Sequence, residues 1–292
     1  MMKAWSAVAA CAVLLGWVPA AQAAPAVTEY VALGDSWAAD VTLNPALVSA
    51  EFAPLSCLQS GSNYARQVAR ALAVARFRDA SCGGAMTGDM TRTQSSTTSV
   101  GNPPQFDQLS PATDLVTVLI GGNDAGLAAA VMGCVTTSAT ATPCLDRYSP
   151  GGSDRMSAAI VAAEPRVAAV LAGIRERSPR ARILLLNYFE IVGTTGGCFP
   201  RIPISDPDAS WLGHRLLELN SMLARVAQAS GVELVDTFAG SHGHDACQAP
   251  GVRWGEGLWP LTSDPAGPAV PFHPNQLGAD HQARTVLAVL GR

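Results

Sequence analysis

The stretch Tyr30-Val31-Ala32-Leu33-Gly34-Asp35-Ser36 is apolar for four residues and then stops at a glycine, which presents a serine just beyond. A strand that breaks at a glycine and exposes a serine at its tip is one way to display a nucleophile. Similar apolar runs recur at Leu115–Ile120, Ile183–Tyr188 and Val232–Val235, with a weaker one at Ala75–Ser81. Near-continuous Val/Ile/Leu runs of this length suit strands buried on both faces, as in parallel sheets. Helical patterns alternate with them. Asn63–Ala73 places Tyr64, Val68 and Leu72 on one face and Arg66 and Arg70 on the other; Met156–Arg177 is long and apolar, with Pro165 expected to kink or split it. Trp211–Ala229 follows the start signals Ser205-Asp206-Pro207-Asp208, and a last helix is expected over Gln276–Leu290. This alternation predicts an α/β class, doubly wound sandwich in which ligands bind at the carboxyl ends of the strands. Gly34-Asp35-Ser36, Cys82-Gly83-Gly84 and Gly121-Gly122-Asn123 all follow such runs, so all three can line one crevice.

The beginning of the chain reads as a secretory signal over residues 1–23. Lys3 is the positive region, Ala7 to Val18 the apolar one, and Ala21-Gln22-Ala23 a small-x-small cleavage site. The apolar run is short for a membrane span, so a secreted protein with no stable membrane anchor is expected, with residues 24–292 forming a single domain. The Gly/Ala/Thr/Pro-rich segments Thr91–Pro104, Thr136–Pro143 and Gly255–Pro271 read as loops. Lys3 is the only lysine and the formal net charge is −4, which argues against nucleic acid as a partner. Of seven cysteines, Cys11 falls in the leader and six remain, an even number that reads as three disulfides in an exported chain. The sequential pairing Cys57–Cys82, Cys134–Cys144 and Cys198–Cys247 is expected, because each pair then closes one excursion between core segments. In the chain-entropy model, the first loop contributes roughly 3.5 kcal/mol.

A serine hydroxyl needs an adjacent base, and the developing oxyanion needs donors aimed at it. Ser36 offers its hydroxyl and its own N–H; Gly84 lets a second backbone N–H approach closely; Asn123 can add a side-chain amide; His273, between Pro271 and Pro274, is the candidate base. In this order the four blocks resemble those of the GDSL, or SGNH, hydrolase family: Gly34-Asp35-Ser36, Cys82-Gly83-Gly84-Ala85, Gly121-Gly122-Asn123-Asp124 and His273-Pro274-Asn275. The six-cysteine layout is also similar to secreted actinomycete esterases, lipases and phospholipases of that family, where three sequential disulfides are usual. The resemblance implies a three-layer α/β/α sandwich with a flavodoxin-like parallel sheet. It implies Ser36 and His273 as catalytic residues, Ser36, Gly84 and Asn123 as the oxyanion hole, and neither metal nor other cofactor. It further implies an ester substrate, a lipid or other acyl ester, with polysaccharide deacetylation or aryl-ester hydrolysis as the alternative and a non-catalytic binding protein as a third reading. A monomer is expected.

Around these blocks, Asp35 reads as a turn former and Asp124 as a structural residue bonding nearby backbone. The loop Ser241-His242-Gly243-His244-Asp245 matches no defensible metal spacing. Trp254 and Trp259 fit either an apolar rim for an acyl chain or a cover over the core. The sequence departs from the family at one place: many members carry an Asp three residues before the histidine, where this chain has Val270. A Ser36–His273 dyad is therefore expected, with the carbonyl of Val270 or Pro271 accepting the Nδ1 proton and Asp264 as the rival orienting group. Asp264→Asn is then expected to leave kcat within a few-fold; a loss of a hundredfold or more in a well-folded variant contradicts the dyad.

Overall fold

Strand β1 (Glu29–Gly34) is buried along its whole length, which its apolar side chains Tyr30, Val31, Ala32 and Leu33 permit on both faces. Glu29, at its start, is compensated by Arg76 at 3.0 Å and Arg78 at 3.1 Å and by hydroxyl donors from Ser110 and Thr113. The computed structural model describes residues 1–2, 26–95, 101–259 and 269–292; Asp264 and nearly all of the expected leader lie outside the described residues. β1 pairs in parallel with β2 (Arg76–Asp79) on one side and β3 (Leu115–Leu119) on the other. β4 (Arg182–Leu186) and β5 (Glu233–Val235) continue the parallel sheet in the order β2-β1-β3-β4-β5. The register sets Leu33 beside Val118 and Gly34 beside Leu119.

Seven α-helices fill the connections among the described residues: α1 (Ser36–Ala39), α2 (Tyr64–Ala71), α3 (Leu127–Gly133), α4 (Pro143–Tyr148), α5 (Arg155–Arg177), α6 (Asp206–Ser230) and α7 (Gln276–Val289). The chain steps from β1 outward to β2 in one direction and from β3 through β4 to β5 in the other. Right-handed crossovers then place α2 on one face of the sheet and α5 and α6 on the opposite face. α7 packs against α2, and α5 against α6, completing the three-layer α/β sandwich. The reversal of direction between β1 and β3 is the switch point of the sheet, where the carboxyl ends open a crevice.

Three details differ from the pattern read in the sequence. α5 is not split at Pro165: the proline is exposed, so water can satisfy the carbonyl it leaves without a helical donor. α6 begins at Asp206 rather than Trp211, because Pro207 sits in the first turn, where its missing N–H costs nothing. β4 ends at Leu186; beyond it Asn187 N–H still reaches the Val235 carbonyl at 3.2 Å while its Oδ1 accepts from Thr237 N–H at 2.7 Å, and Tyr188 N–H turns to Asn220 Oδ1 at 3.0 Å.

The three disulfides join Cys57 to Cys82, Cys134 to Cys144 and Cys198 to Cys247. The first sits directly behind the turn that follows β2, where Gly83 N–H donates to the Cys57 carbonyl at 3.1 Å.

At Gly34 the strand and the turn approach so closely that a Cβ would lie 2.4 Å from the Leu119 carbonyl oxygen and 2.6 Å from Ala38 Cβ, and φ is +146°. Gly34→Ala is therefore expected to cost about 3 kcal/mol or more, from overpacking and a disfavoured φ together. That corresponds to a fall of roughly 6–12 °C in Tm. Calorimetry on the purified variant checks this, and an unchanged Tm contradicts the close approach.

Candidate active site

The serine turn is held by backbone before any side chain acts. Asp35 N–H donates to the Leu119 carbonyl at 3.0 Å, which ties the end of β1 to the end of β3. The fully buried side chain of Gln105 pairs with both polar groups of Gly34, its Oε1 accepting at 2.8 Å and its Nε2 donating at 2.9 Å. Asp35 caps α1, accepting from Trp37 N–H at 2.9 Å, and its second oxygen accepts from the Tyr188 hydroxyl at 2.5 Å. Burial pushes the Asp35 carboxyl up to about 7, partly offset by those donors. Ser36 follows as the first residue of α1 and is itself 7% exposed.

His273 arrives from a separately braced turn. Phe272, buried and immediately before it, has φ +59°, a left-handed conformation that costs a bulky residue of order 1–3 kcal/mol and needs outside support. Glu256 supplies it: its carbonyl accepts from Phe272 N–H and its N–H donates to the His273 carbonyl, both at 3.0 Å. Asn275 caps α7 by accepting from Leu277 and Gly278 N–H, and its amide donates at 2.9 Å to both the Arg253 carbonyl and the Glu256 carboxylate. The turn thus delivers His273 with Nδ1 2.8 Å from the Pro271 carbonyl oxygen and Nε2 2.8 Å from Ser36 Oγ. A carbonyl can only accept, so Nδ1 carries the proton and Nε2 turns its lone pair to the serine. Burial lowers the imidazole to about 4, with the Pro271 carbonyl pulling the other way, so the ring is uncharged at neutral pH.

The turn after β3 places Asn123 in the same cavity as Ser36 and His273. One of its amide hydrogens goes to the Ala85 carbonyl at 2.9 Å, which leaves the other without an acceptor among the described residues. Asp124 accepts from Thr87 N–H at 2.9 Å and from the Thr87 hydroxyl at 2.5 Å, binding this turn to the segment after Gly84. Gly84 has φ +76° and lines a neighbouring polar depression with Cys82, Gln94 and Asn102 rather than the cavity that contains Ser36. Among the described residues, neither the Ser36 nor the Gly84 backbone N–H has an acceptor.

The cavity beside Ser36 measures about 290 Å³, and its wall is overwhelmingly apolar, built from Trp37, Leu127, Val131, Met132, Leu216 and Phe272. The stripe Leu127, Val131 on α3 is a helical spacing that follows Gly126, a signal present in the sequence but hidden by the small residues around it. α3 is anchored at its end by Cys134–Cys144, and α4 in turn by the fully buried Asp208, which accepts from Cys144 and Leu145 N–H. Trp254 does not line the cavity; it is stacked between His244 at 3.9 Å and His281 at 4.0 Å. Trp259 is exposed. In the loop that carries two histidines, His242 meets Glu190 at 3.2 Å. Cys134, Cys144 and Asp208 cluster at metal-ligand distances, but both sulfurs are consumed by the disulfide. Gln105, Tyr188, Asn220 and Glu256 carry no local pattern that would have singled them out.

Comparison with known proteins gives a consistent picture. The family model of the GDSL-like lipase/acylhydrolase family matches residues 32–281. Lipase 2 of Streptomyces coelicolor is 38% identical, over 93% of this chain and 88% of the relative. Among solved structures, phospholipase A1 from Streptomyces albidoflavus NA297 superposes with a TM-score of 0.69 at 24% identity, covering 90% of this chain and 99% of that one. An extracellular lipase from Streptomyces rimosus superposes with a TM-score of 0.70 at 24% identity, with the same coverage.

Proposed function

Because the chain belongs to the GDSL-like lipase/acylhydrolase family, and is thus a carboxylic ester hydrolase, we propose that it cleaves acyl esters through a Ser36 acyl-enzyme, with His273 as the base and no side-chain carboxylate orienting it. The observation that carries this reading is the 2.8 Å contact of His273 Nε2 with Ser36 Oγ, opposite the equally short contact of Nδ1 with the Pro271 carbonyl.

Ser36 Oγ attacks the ester carbonyl carbon as its proton passes to His273 Nε2, and the carbonyl π electrons move onto oxygen. The imidazolium so formed is stabilised by the Pro271 carbonyl dipole, in place of a carboxylate. The free N–H groups of Ser36 and Asn123, with that of Gly84 as the third donor, receive the oxyanion. When the carbonyl re-forms, the carbon–oxygen bond to the alcohol breaks and the alcohol takes the proton from His273. Water then repeats the sequence, its proton going to His273 and from there to Ser36 Oγ as the carboxylic acid leaves.

The apolar wall supports a lipid acyl chain as the group seated beside Ser36, in keeping with relatives named as lipases and a neighbour named as a phospholipase A1. The three disulfides and the leader-like first 23 residues support a secreted protein, with residues 24–292 as the working domain.

The direct test compares a soluble acetate ester with a long-chain ester, using Ser36→Ala as the blank. Ser36→Ala should lower kcat by about 10³-fold or more on both. Ala128, exposed at the cavity wall, offers the complementary variant. Ala128→Trp should cut long-chain turnover at least tenfold and leave the acetate ester within threefold; an equal loss on both moves the reading to short-chain esters.

The pH profile provides a separate check. Catalysis requires His273 neutral, and its pKa lies near 4 rather than 6.5, so the acid limb of kcat/KM should fall near pH 4. An acid limb at 6.5 that persists in Asp35→Asn contradicts the burial of the imidazole.

A further inference from the structure

The two turns that bear Ser36 and Asn123 come from different strands, and one side chain from the segment just after a third strand bridges them. Tyr188 lies two residues beyond the end of β4 and is 2% exposed. Its backbone is fixed from behind by Asn220 of α6, which accepts from Tyr188 N–H at 3.0 Å and donates to its carbonyl at 2.7 Å. Its hydroxyl donates to Asp35 Oδ2 at 2.5 Å and accepts from Gly122 N–H at 2.9 Å. Trp37 meets the phenol ring edge-on, with centroids 5.4 Å apart. No spare volume remains at the contact, since a Cβ on Gly122 would lie 2.9 Å from the Tyr188 hydroxyl oxygen.

From this geometry we infer that Tyr188 is a positioning residue, whose hydroxyl sets the spacing between the Ser36 turn and the Gly122–Asn123 turn and so aims the Asn123 amide at the oxyanion. The inference rests on the roles proposed above for Ser36 and Asn123. It assigns Tyr188 no contact with the reacting atoms: both directions of its hydroxyl are already committed, one to Asp35 and one to Gly122. What the residue controls is distance. Hydrogen-bond stabilisation of a transition state depends on donors being in place before charge develops, and a shift of about 1 Å in a supporting group costs on the order of 10²-fold.

The test uses Tyr188→Phe, which keeps the ring and removes only the bridge, and Gly122→Ala, whose added Cβ presses on the same contact from the other side. Competent enzyme is counted by end-point titration with a fluorophosphonate, so a poorly folding fraction does not enter the rates. For Tyr188→Phe, kcat per titrated site on a soluble short-chain ester should fall 10- to 100-fold with KM within threefold. Affinity for a trifluoromethyl ketone, which mimics the tetrahedral oxyanion, should weaken by the same factor as kcat/KM, and Gly122→Ala should show the same split. A purely structural role would lower Tm and the titrated fraction but leave kcat per site and ketone affinity unchanged. Either kcat per site within threefold of the parent, or a loss confined to KM with unchanged ketone affinity, overturns the inference. Failure of the parent protein to be labelled at Ser36 would instead remove the underlying catalytic reading.

Discussion

The hydrogen bond from Asp35 N–H to the Leu119 carbonyl is the tie on which the site depends. It extends the pairing of β1 and β3 one residue past the regular ladder, at the point where the sheet reverses its winding. Because Gly34 brings no side chain there, the two strands can close on each other, and the serine turn and the asparagine turn emerge side by side. The rest of the construction is a set of braces around that meeting point. Gln105 satisfies the glycine, Asp35 caps the short helix, and Asp124 ties the third turn to the second through Thr87. The cap is local, but the partners of Gly34 and of Asp124 come from distant parts of the chain, so these buried bonds tie separate segments into one rigid site.

Electrostatics at the site are governed by burial more than by charge pairing. His273 is held neutral and Asp35 is driven upward, both because their charged forms would lose water, and His273 has no carboxylate partner among the described residues. The two groups pull stability in opposite directions. Between about pH 4 and 6.5 the unfolded chain binds a proton at His273 that the folded chain does not, so this group weakens the fold as the pH falls. Between about pH 7 and 3.8 the folded chain binds a proton at Asp35 that the unfolded chain does not, so that group strengthens the fold over an overlapping window.

Much of the architecture was legible in the sequence because it is written in local patterns. Apolar runs locate four of the five strands and a weaker run, carried by Phe77, the fifth; glycine-bearing turns mark the carboxyl ends of β1, β2 and β3, and an even set of cysteines marks the three bridges, which close in sequential order. The meeting of Ser36 with His273 across 237 residues could be anticipated from the blocks around each. Gln105, Tyr188, Asn220 and Glu256 could not, since each is a single polar residue whose meaning depends on what the fold brings opposite it. Pro165 does not split its helix: α5 runs from Arg155 to Arg177 with the proline on its exposed face, where water can stand in for the missing donor. Trp254 could be read either as a rim residue or as a cover, and the structure stacks it between two histidines, away from the cavity.

The group beside His273 Nδ1 is a main-chain carbonyl, and that has a genetic consequence. A carboxylate in that place would be erased by one codon change, whereas a peptide oxygen is carried by every residue and survives any single replacement of Pro271. What the lineage must preserve is the path of the backbone, upheld jointly by the left-handed Phe272, the Glu256 clamp and the Asn275 cap. Under the proposed mechanism, selection on proton handling is thereby spread over several positions that never touch the proton. Drift among related chains should accordingly be free at position 271 and restrained at 256 and 275.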